Sequence, residues 1–107
     1  MENISVEQLK ARVDAGDKLT VIDVREPAEF TEYNIGAQLI PLGKIMNMQV
    51  DELEDLKNEE IIVHCLGGKR SMQACMVLEQ MGFTNLKNVT GGVAAWREKY
   101  GNATIHP

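Results

Sequence analysis

No stretch of the 107-residue chain holds 18 consecutive apolar residues, and its first ten residues, MENISVEQLK, lack a basic segment followed by an apolar one. Neither a membrane-spanning helix nor a secretory signal is expected. Cysteine is scarce. Cys65 and Cys75 are the only two, and they form neither the redox C-x-x-C pair nor the C-x2-C spacing of zinc sites. Cys75 is expected more than two turns into a helix that begins near Arg70, too far from Cys65 for disulfide geometry. Free thiols in a reducing, cytoplasmic setting are the expectation, with no metal site. Repeats, low-complexity runs and linkers are also missing, so 1–107 reads as a single domain whose elements pack directly. Bases are outnumbered, 11 to 16, and the net charge of -5 argues against nucleic acid as a partner.

What is present suffices for a core. The composition is 44% hydrophobic and 25% charged, and a chain of this length buries about 65% of the surface its unfolded form exposes. Charge is uneven. Residues 1–64 carry 14 acids and 6 bases, whereas residues 65–107 carry 2 acids and 5 bases. A small anion is better received by the C-terminal part.

The apolar pattern alternates between short β-branched runs and helical spacing. Ser5 with Gln8 is a capping-box signature, followed by Val6, Leu9 and Val13 at helical spacing and by Gly16 as the stop. Residues 19–24 (LTVIDV) read as a strand buried on both faces. Pro27 suits the first turn of a short helix carrying Phe30. Residues 38–42 are a weaker strand, and residues 43–57 a loosely patterned helix with Ile45, Met48, Leu53 and Leu56 inward. Residues 61–64 (IIVH) are the second strong strand. Residues 70–81 are the clearest helix, with Ala74, Cys75, Val77, Leu78 and Met81 on one side and Gly82 as its stop. Residues 86–89 form a third buried strand, and a last helix runs from about Val93 to Tyr100. Strands alternating with helices throughout define an α/β class with a mainly parallel sheet. Trp96 and the six Met residues are expected to fill core.

The chemistry-bearing segment is Cys65-Leu66-Gly67-Gly68-Lys69-Arg70-Ser71. It leaves an apolar strand and opens a helix, where open α/β sheets bind ligands. Adjacent glycines let successive N–H groups point inward as a nest for an anion. The helix adds its positive dipole end, and Lys69 and Arg70 add two cations. A thiol in that field ionises more easily than a free cysteine. A low-pKa thiolate facing an anion cradle is equipped for nucleophilic attack. Taken singly, a cysteine after a strand is often only a buried hydrophobe and a Gly-Gly pair only a turn; their conjunction with Lys, Arg and Ser favours chemistry. Cys75, on an apolar helix face, reads as packing.

These segments resemble the single-domain rhodanese family of sulfurtransferases, and the likeness covers nearly the whole chain. It rests on residues 21–30 (VIDVREPAEF), on Gly36-Ala37 with Ile40-Pro41-Leu42, and on Ile62-Val63-His64-Cys65 ending in Gly68, Arg70 and Ser71. Asn88-Val89 followed by residues 91–96 (GGVAAW) completes it. The resemblance implies a three-layer α/β fold, a mainly parallel central sheet flanked by helices on both faces. It also implies transfer of a sulfane sulfur from an anionic donor such as thiosulfate, or from a persulfide, through a Cys65 persulfide to cyanide or a thiol, small or protein-borne, with no cofactor. Residues 66–71 would form the persulfide-binding loop, the backbone N–H groups of 66–70 holding its negative charge and Ser71 capping the helix or bonding inside the loop. Asp23 and Arg25 are expected as a structural ion pair behind the site, a network that Glu29 either joins or leaves for solvent. His64 is expected at the strand end with a satisfied ring nitrogen. A monomer with an open mouth fits a bulky acceptor.

Two departures stand out. Many members carry Arg directly after the cysteine, where this chain has Leu66, so one guanidinium is missing and thiosulfate is expected to be a poor donor. The turn before Gly36 is one residue short. Two other readings remain at this point: a non-catalytic binding module or protein-to-protein persulfide carrier, and, more remotely, a phosphatase of related fold. Phosphatases place seven residues from Cys to Arg inclusive; Cys65 to Arg70 is six, a cradle sized for one sulfur.

Overall fold

The two most apolar segments lie side by side in the middle of the sheet. In the computed structural model, which describes residues 1–106, β2 (Val21–Asp23) and β4 (Glu60–His64) pair in parallel, with Asp23 opposite His64. Outside them lie β3 (Gln38–Leu39) on one side, and β5 (Asn85–Val89) then β1 (Glu2–Ile4) on the other. All four pairings are parallel. The sheet is parallel throughout rather than mainly so.

Alternation along the strands divides the core in two. Ile22, Val24, Ile61, Val63 and Leu86 face one way, against α3 (Leu42–Met46), a 3-10 helix (Asp51–Leu56) and α4 (Lys69–Gln80). Val21, Ile62 and Val89 face the other way, against α1 (Val6–Asp14) and α5 (Gly92–Tyr100). Each fully buried Leu or Ile of these clusters stabilises the fold by roughly 1.5–3 kcal/mol. Trp96 fills the second cluster, its indole N–H donating to the Ala103 carbonyl at 2.9 Å. α1 is capped reciprocally by Ser5 and Gln8, as its sequence predicts. Among the described residues no helix is long and apolar enough to cross a membrane.

Several expectations need correction. β1 has no counterpart in the sequence reading, because a three-residue edge strand with only Ile4 buried carries no run to detect. The single helix expected over 43–57 is two short elements broken at Met48, which has φ of 59° and lies exposed rather than inward. The strand expected over 38–42 is two residues long, and Leu42 already belongs to α3. Five of the six Met residues, all but Met81, are exposed and do not fill core. Cys75 is the seventh residue of α4, short of two turns; both cysteines are nevertheless free.

A buried ion pair sits at the end of β2. Arg25 Nη2 donates to Asp23 Oδ2 at 2.8 Å and Nε to Oδ1 at 3.0 Å, and both residues are at most 3% exposed. The guanidinium also donates to the Tyr33 carbonyl at 2.7 Å, tying the chain after α2 (Pro27–Glu32) to the end of β2. Removing one partner leaves an uncompensated buried charge. Asp23→Ala is expected to destabilise the fold by roughly 3–5 kcal/mol, read from the urea midpoint; a shift under about 1 kcal/mol would mean that water replaces the carboxylate.

Candidate active site

β2 and β4 are neighbours, but the chain leaves them toward opposite edges of the sheet, through α2 to β3 and through α4 to β5. Such a reversal opens a crevice beyond the carboxyl ends of the strands. Cys65 is the first residue after β4. Alternation puts it on the α4 face with Ile61 and Val63, and puts His64 on the opposite face beside Asp23.

The loop is oriented from behind by α5. The amide N–H of Val93 donates to the Cys65 carbonyl at 2.9 Å, and that of Ala94 to the Leu66 carbonyl at 3.0 Å. These are first-turn amides with no partner inside their own helix. A Cβ at Gly92 would stand 2.5 Å from each of those carbonyl oxygens, and Gly92 has φ of +53°. Only glycine lets the helix end approach that closely.

With the carbonyls held there, N–H groups face the sulfur. Gly68, the α4 N-cap at φ 112°, donates its N–H to Cys65 Sγ at 3.1 Å. Ser71 Oγ lies 3.4 Å from Sγ, and it also bonds to Gly68 O at 3.1 Å and Asn88 Oδ1 at 2.5 Å. Ser71 thus bonds inside the loop; the cap position belongs to Gly68. Burial by itself would push the Cys65 thiol up. The Ser71 hydroxyl and the N–H groups of Ser71, Gly68 and Gly67 outweigh it, so the thiol lies below its ordinary value. Cys75 has no such donors, and burial pushes it up to about 12. The two thiols are chemically distinct.

The cations divide. Lys69 is exposed and makes no ion pair among the described residues. Arg70 is engaged: Nη1 and Nη2 meet Glu29 Oε1 and Oε2 at 2.6 and 2.9 Å. Glu29 therefore joins α2 to α4 across the crevice, and its link to Arg25 is only through its backbone carbonyl, at 3.5 Å. His64 is half satisfied. Nδ1 is 3.3 Å from the Cys65 carbonyl, while Nε2 has no hydrogen-bond partner among the described residues and stands 3.8 Å from Asp23 Oδ2. Burial holds the ring's pKa below its ordinary value.

The expected open mouth exists at the rim. Leu66 is 49% exposed, and Gly67 and Lys69 are exposed, but Cys65 is recessed at 1%. Beside the loop a cavity of about 190 Å³ is lined by Gly67, Gly68, Lys69, Met72, Asn88 and Thr90, among others. Asn88 is the site residue that sequence reasoning missed. Asn85 and Lys87 in the same strand are polar too, so the strand pattern did not mark it.

Comparison with known proteins places the chain in a family. The Rhodanese-like domain family model matches residues 5–99, and the chain belongs to that family. It is 36% identical over 97 residues to "Putative sulfur carrier protein YrkF" of Bacillus subtilis, covering 90% of this chain and only 51% of that protein. It is 29% identical over 96 residues to a sulfurtransferase of Allochromatium vinosum, covering 90% and 88%. The crystal structure of a rhodanese-like domain protein from Staphylococcus aureus superimposes with a TM-score of 0.78 at 32% identity, covering 90% and 91%.

The Glu29–Arg70 bridge gives a pH signature. Arg70 holds the Glu29 carboxyl down to about 2, from an ordinary 4.5. Because the folded-state value is depressed, the bridge contributes fully above pH 4.5 and is lost as pH falls toward 2. Both side chains are about a third exposed (32% and 31%), so its worth is at most about 1 kcal/mol. Glu29→Gln is expected to lower stability by up to that amount at pH 7, with the gap closing between pH 4.5 and 2 in urea titrations. A gap that persisted at pH 2 would mean the effect is not the ion pair.

Proposed function

We propose that Cys65 takes a terminal sulfur from an anionic donor, thiosulfate or a persulfide, and passes it to a thiophilic acceptor such as cyanide or a thiol. The observation that carries this reading is the polar set around Cys65 Sγ, the Gly68 N–H donating at 3.1 Å and the Ser71 hydroxyl at 3.4 Å, inside a loop whose carbonyls are turned to α5. The thiolate attacks the donor's terminal sulfur. A new S–S bond forms as the donor's own S–S bond breaks, and sulfite (or the donor thiolate) leaves with the electron pair. The acceptor then attacks the outer sulfur of the persulfide, and Cys65 leaves as thiolate. The loop's N–H groups stabilise negative charge on sulfur throughout, so no acid, base or cofactor is needed.

The carrier reading differs only in the acceptor. YrkF is named a sulfur carrier, and two exposed apolar side chains, Leu66 in the loop and Met72 (41% exposed) on the first turn of α4, offer a protein acceptor apolar surface. A purely non-catalytic module has no use for a thiol of lowered pKa. Phosphatase chemistry is disfavoured by the six-residue cradle and by Arg70, whose guanidinium is already paired with Glu29. We read the domain as a monomer working in the cytoplasm, without nucleic acid or membrane.

Intact-mass spectrometry after incubation with thiosulfate or a persulfide is expected to show one added sulfur atom in the wild type and in Cys75→Ser, and none in Cys65→Ser. Equal loss in the two variants would remove the assignment to Cys65. Leu66→Arg is expected to improve thiosulfate capture, with a gain that shrinks as salt rises. No gain at low ionic strength would show that the absent guanidinium is not what limits the donor.

A further inference from the structure

Ser71 Oγ owns one proton, yet three acceptors lie within its reach: Asn88 Oδ1 at 2.5 Å, Gly68 O at 3.1 Å and Cys65 Sγ at 3.4 Å. Ser71 and Asn88 are 0% and 1% exposed, so solvent does not resolve the competition. Asn88 Nδ2 donates in turn to Asn3 Oδ1 at 3.2 Å. Asn3 lies opposite Asn88 in the β1–β5 register and is exposed. A hydrogen-bonded chain therefore runs from the sulfur through Ser71 and Asn88 to the surface at Asn3.

The chain has two directions. With Cys65 a thiol, S–H donates to Ser71 Oγ, Ser71 donates to Asn88 Oδ1, and Asn88 Nδ2 donates to Asn3. A thiolate or an ionised persulfide has no proton to give and needs donors. Ser71 must then turn its O–H onto sulfur, and the Asn88 oxygen would face a hydroxyl lone pair at 2.5 Å. A half-turn of the Asn88 amide removes the conflict, because it exchanges donor and acceptor ends without moving the residue. Nδ2 then donates to Ser71 Oγ, and Oδ1 accepts from Asn3, whose exposed amide turns freely, or from water. The proton that Cys65 loses goes to buffer base.

We propose that Asn88 is a positioning residue whose amide reverses with the charge on Cys65, so that Ser71's only proton is delivered to the sulfur when it is anionic. Other charged groups near the sulfur do not enter the chain. Arg70 is paired with Glu29, Lys69 is exposed, and His64 with the Asp23–Arg25 pair lies on the other face of β4. Lys87, next to Asn88 on β5, is directed to Glu2 and Glu60, and the first turn of α5 carries no acid. The proposal rests on Cys65 as the reactive thiol, but its test does not require sulfur transfer.

The test is the pH profile of Cys65 alkylation by iodoacetamide, read at that residue by peptide mass mapping. Asn88→Asp keeps the shape and the acceptor but has no N–H to give Ser71. Its midpoint is expected to rise by about one pH unit, making alkylation well below the midpoint about tenfold slower. In a Ser71→Ala background the same substitution is expected to shift the midpoint less than half as far, which separates the relay from the direct field of the new carboxylate. Asn3→Asp covers a failure of Asn88→Asp to fold, because the site is exposed. Its carboxylate pins Asn88 in the thiol-state direction, so a smaller rise that Ser71→Ala abolishes is expected. An unchanged midpoint in the variants that fold, or equal shifts with and without the Ser71 hydroxyl, would overturn the proposal. Loss of sulfur transfer with the expected midpoint shifts intact would count against the functional reading alone.

Discussion

Two amides at the start of α5 hold the carbonyl oxygens of Cys65 and Leu66, and the loop's chemistry depends on that attachment. A peptide chain turning from strand to helix has as many carbonyls as N–H groups to dispose of. If the carbonyls faced the sulfur they would repel a thiolate. Here α5 takes two of them at its positive end, and the N–H groups are left for Sγ. The same approach requires glycine at position 92, where a side-chain carbon would collide with the very oxygens being held. One helix end thus supplies a structural cap and an electrostatic bias in a single contact.

Charge around the site is arranged by distance from water. Asp23 and Arg25 are buried and pair with each other, holding β2 to the segment after α2. Glu29 and Arg70 are half in solvent and connect the two helices that leave the central strands in opposite directions. Lys69 remains exposed at the rim. A buried ion pair of this kind is stabilising only while both members are present, so β2 and α2 are fixed by the same charges. α2 itself contributes no buried residue. It is kept in place by polar contacts at Arg25 and Arg70, not by packing.

The fold was legible where hydrophobic periodicity was strong and where element ends carried specific residues. β2 and β4 are apolar runs and α1, α4 and α5 have apolar faces at helical spacing; with β5, they appear within a few residues of their expected bounds. β1 was not legible because Glu2 and Asn3 are polar and its pairing is decided by β5. The break at Met48 was hidden because a left-handed residue other than Gly or Asn leaves no trace in composition. The exposed methionines show the limit of inferring burial from hydrophobicity alone. In the site, Cys65, the glycines and Ser71 announced themselves by sharing one loop. Asn88 did not, since its role exists only where β5 passes α4, and the pairing of Arg70 with Glu29 across 41 residues could not be read from either segment.

In the proposed transfer, the recess of Cys65 would impose a requirement on the reaction partner's shape. Displacement at sulfur needs the attacking, central and leaving atoms nearly in line. In a disulfide the central sulfur also carries a carbon chain to one side, which would have to enter the loop with it. The outer sulfur of thiosulfate carries nothing further, and that of a persulfide carries at most a proton. In the transfer proposed above, 1% exposure of Cys65 would favour sulfur that ends a molecule over sulfur in the middle of one. The same burial would, in that transfer, slow the loss of the thiolate to mixed disulfides.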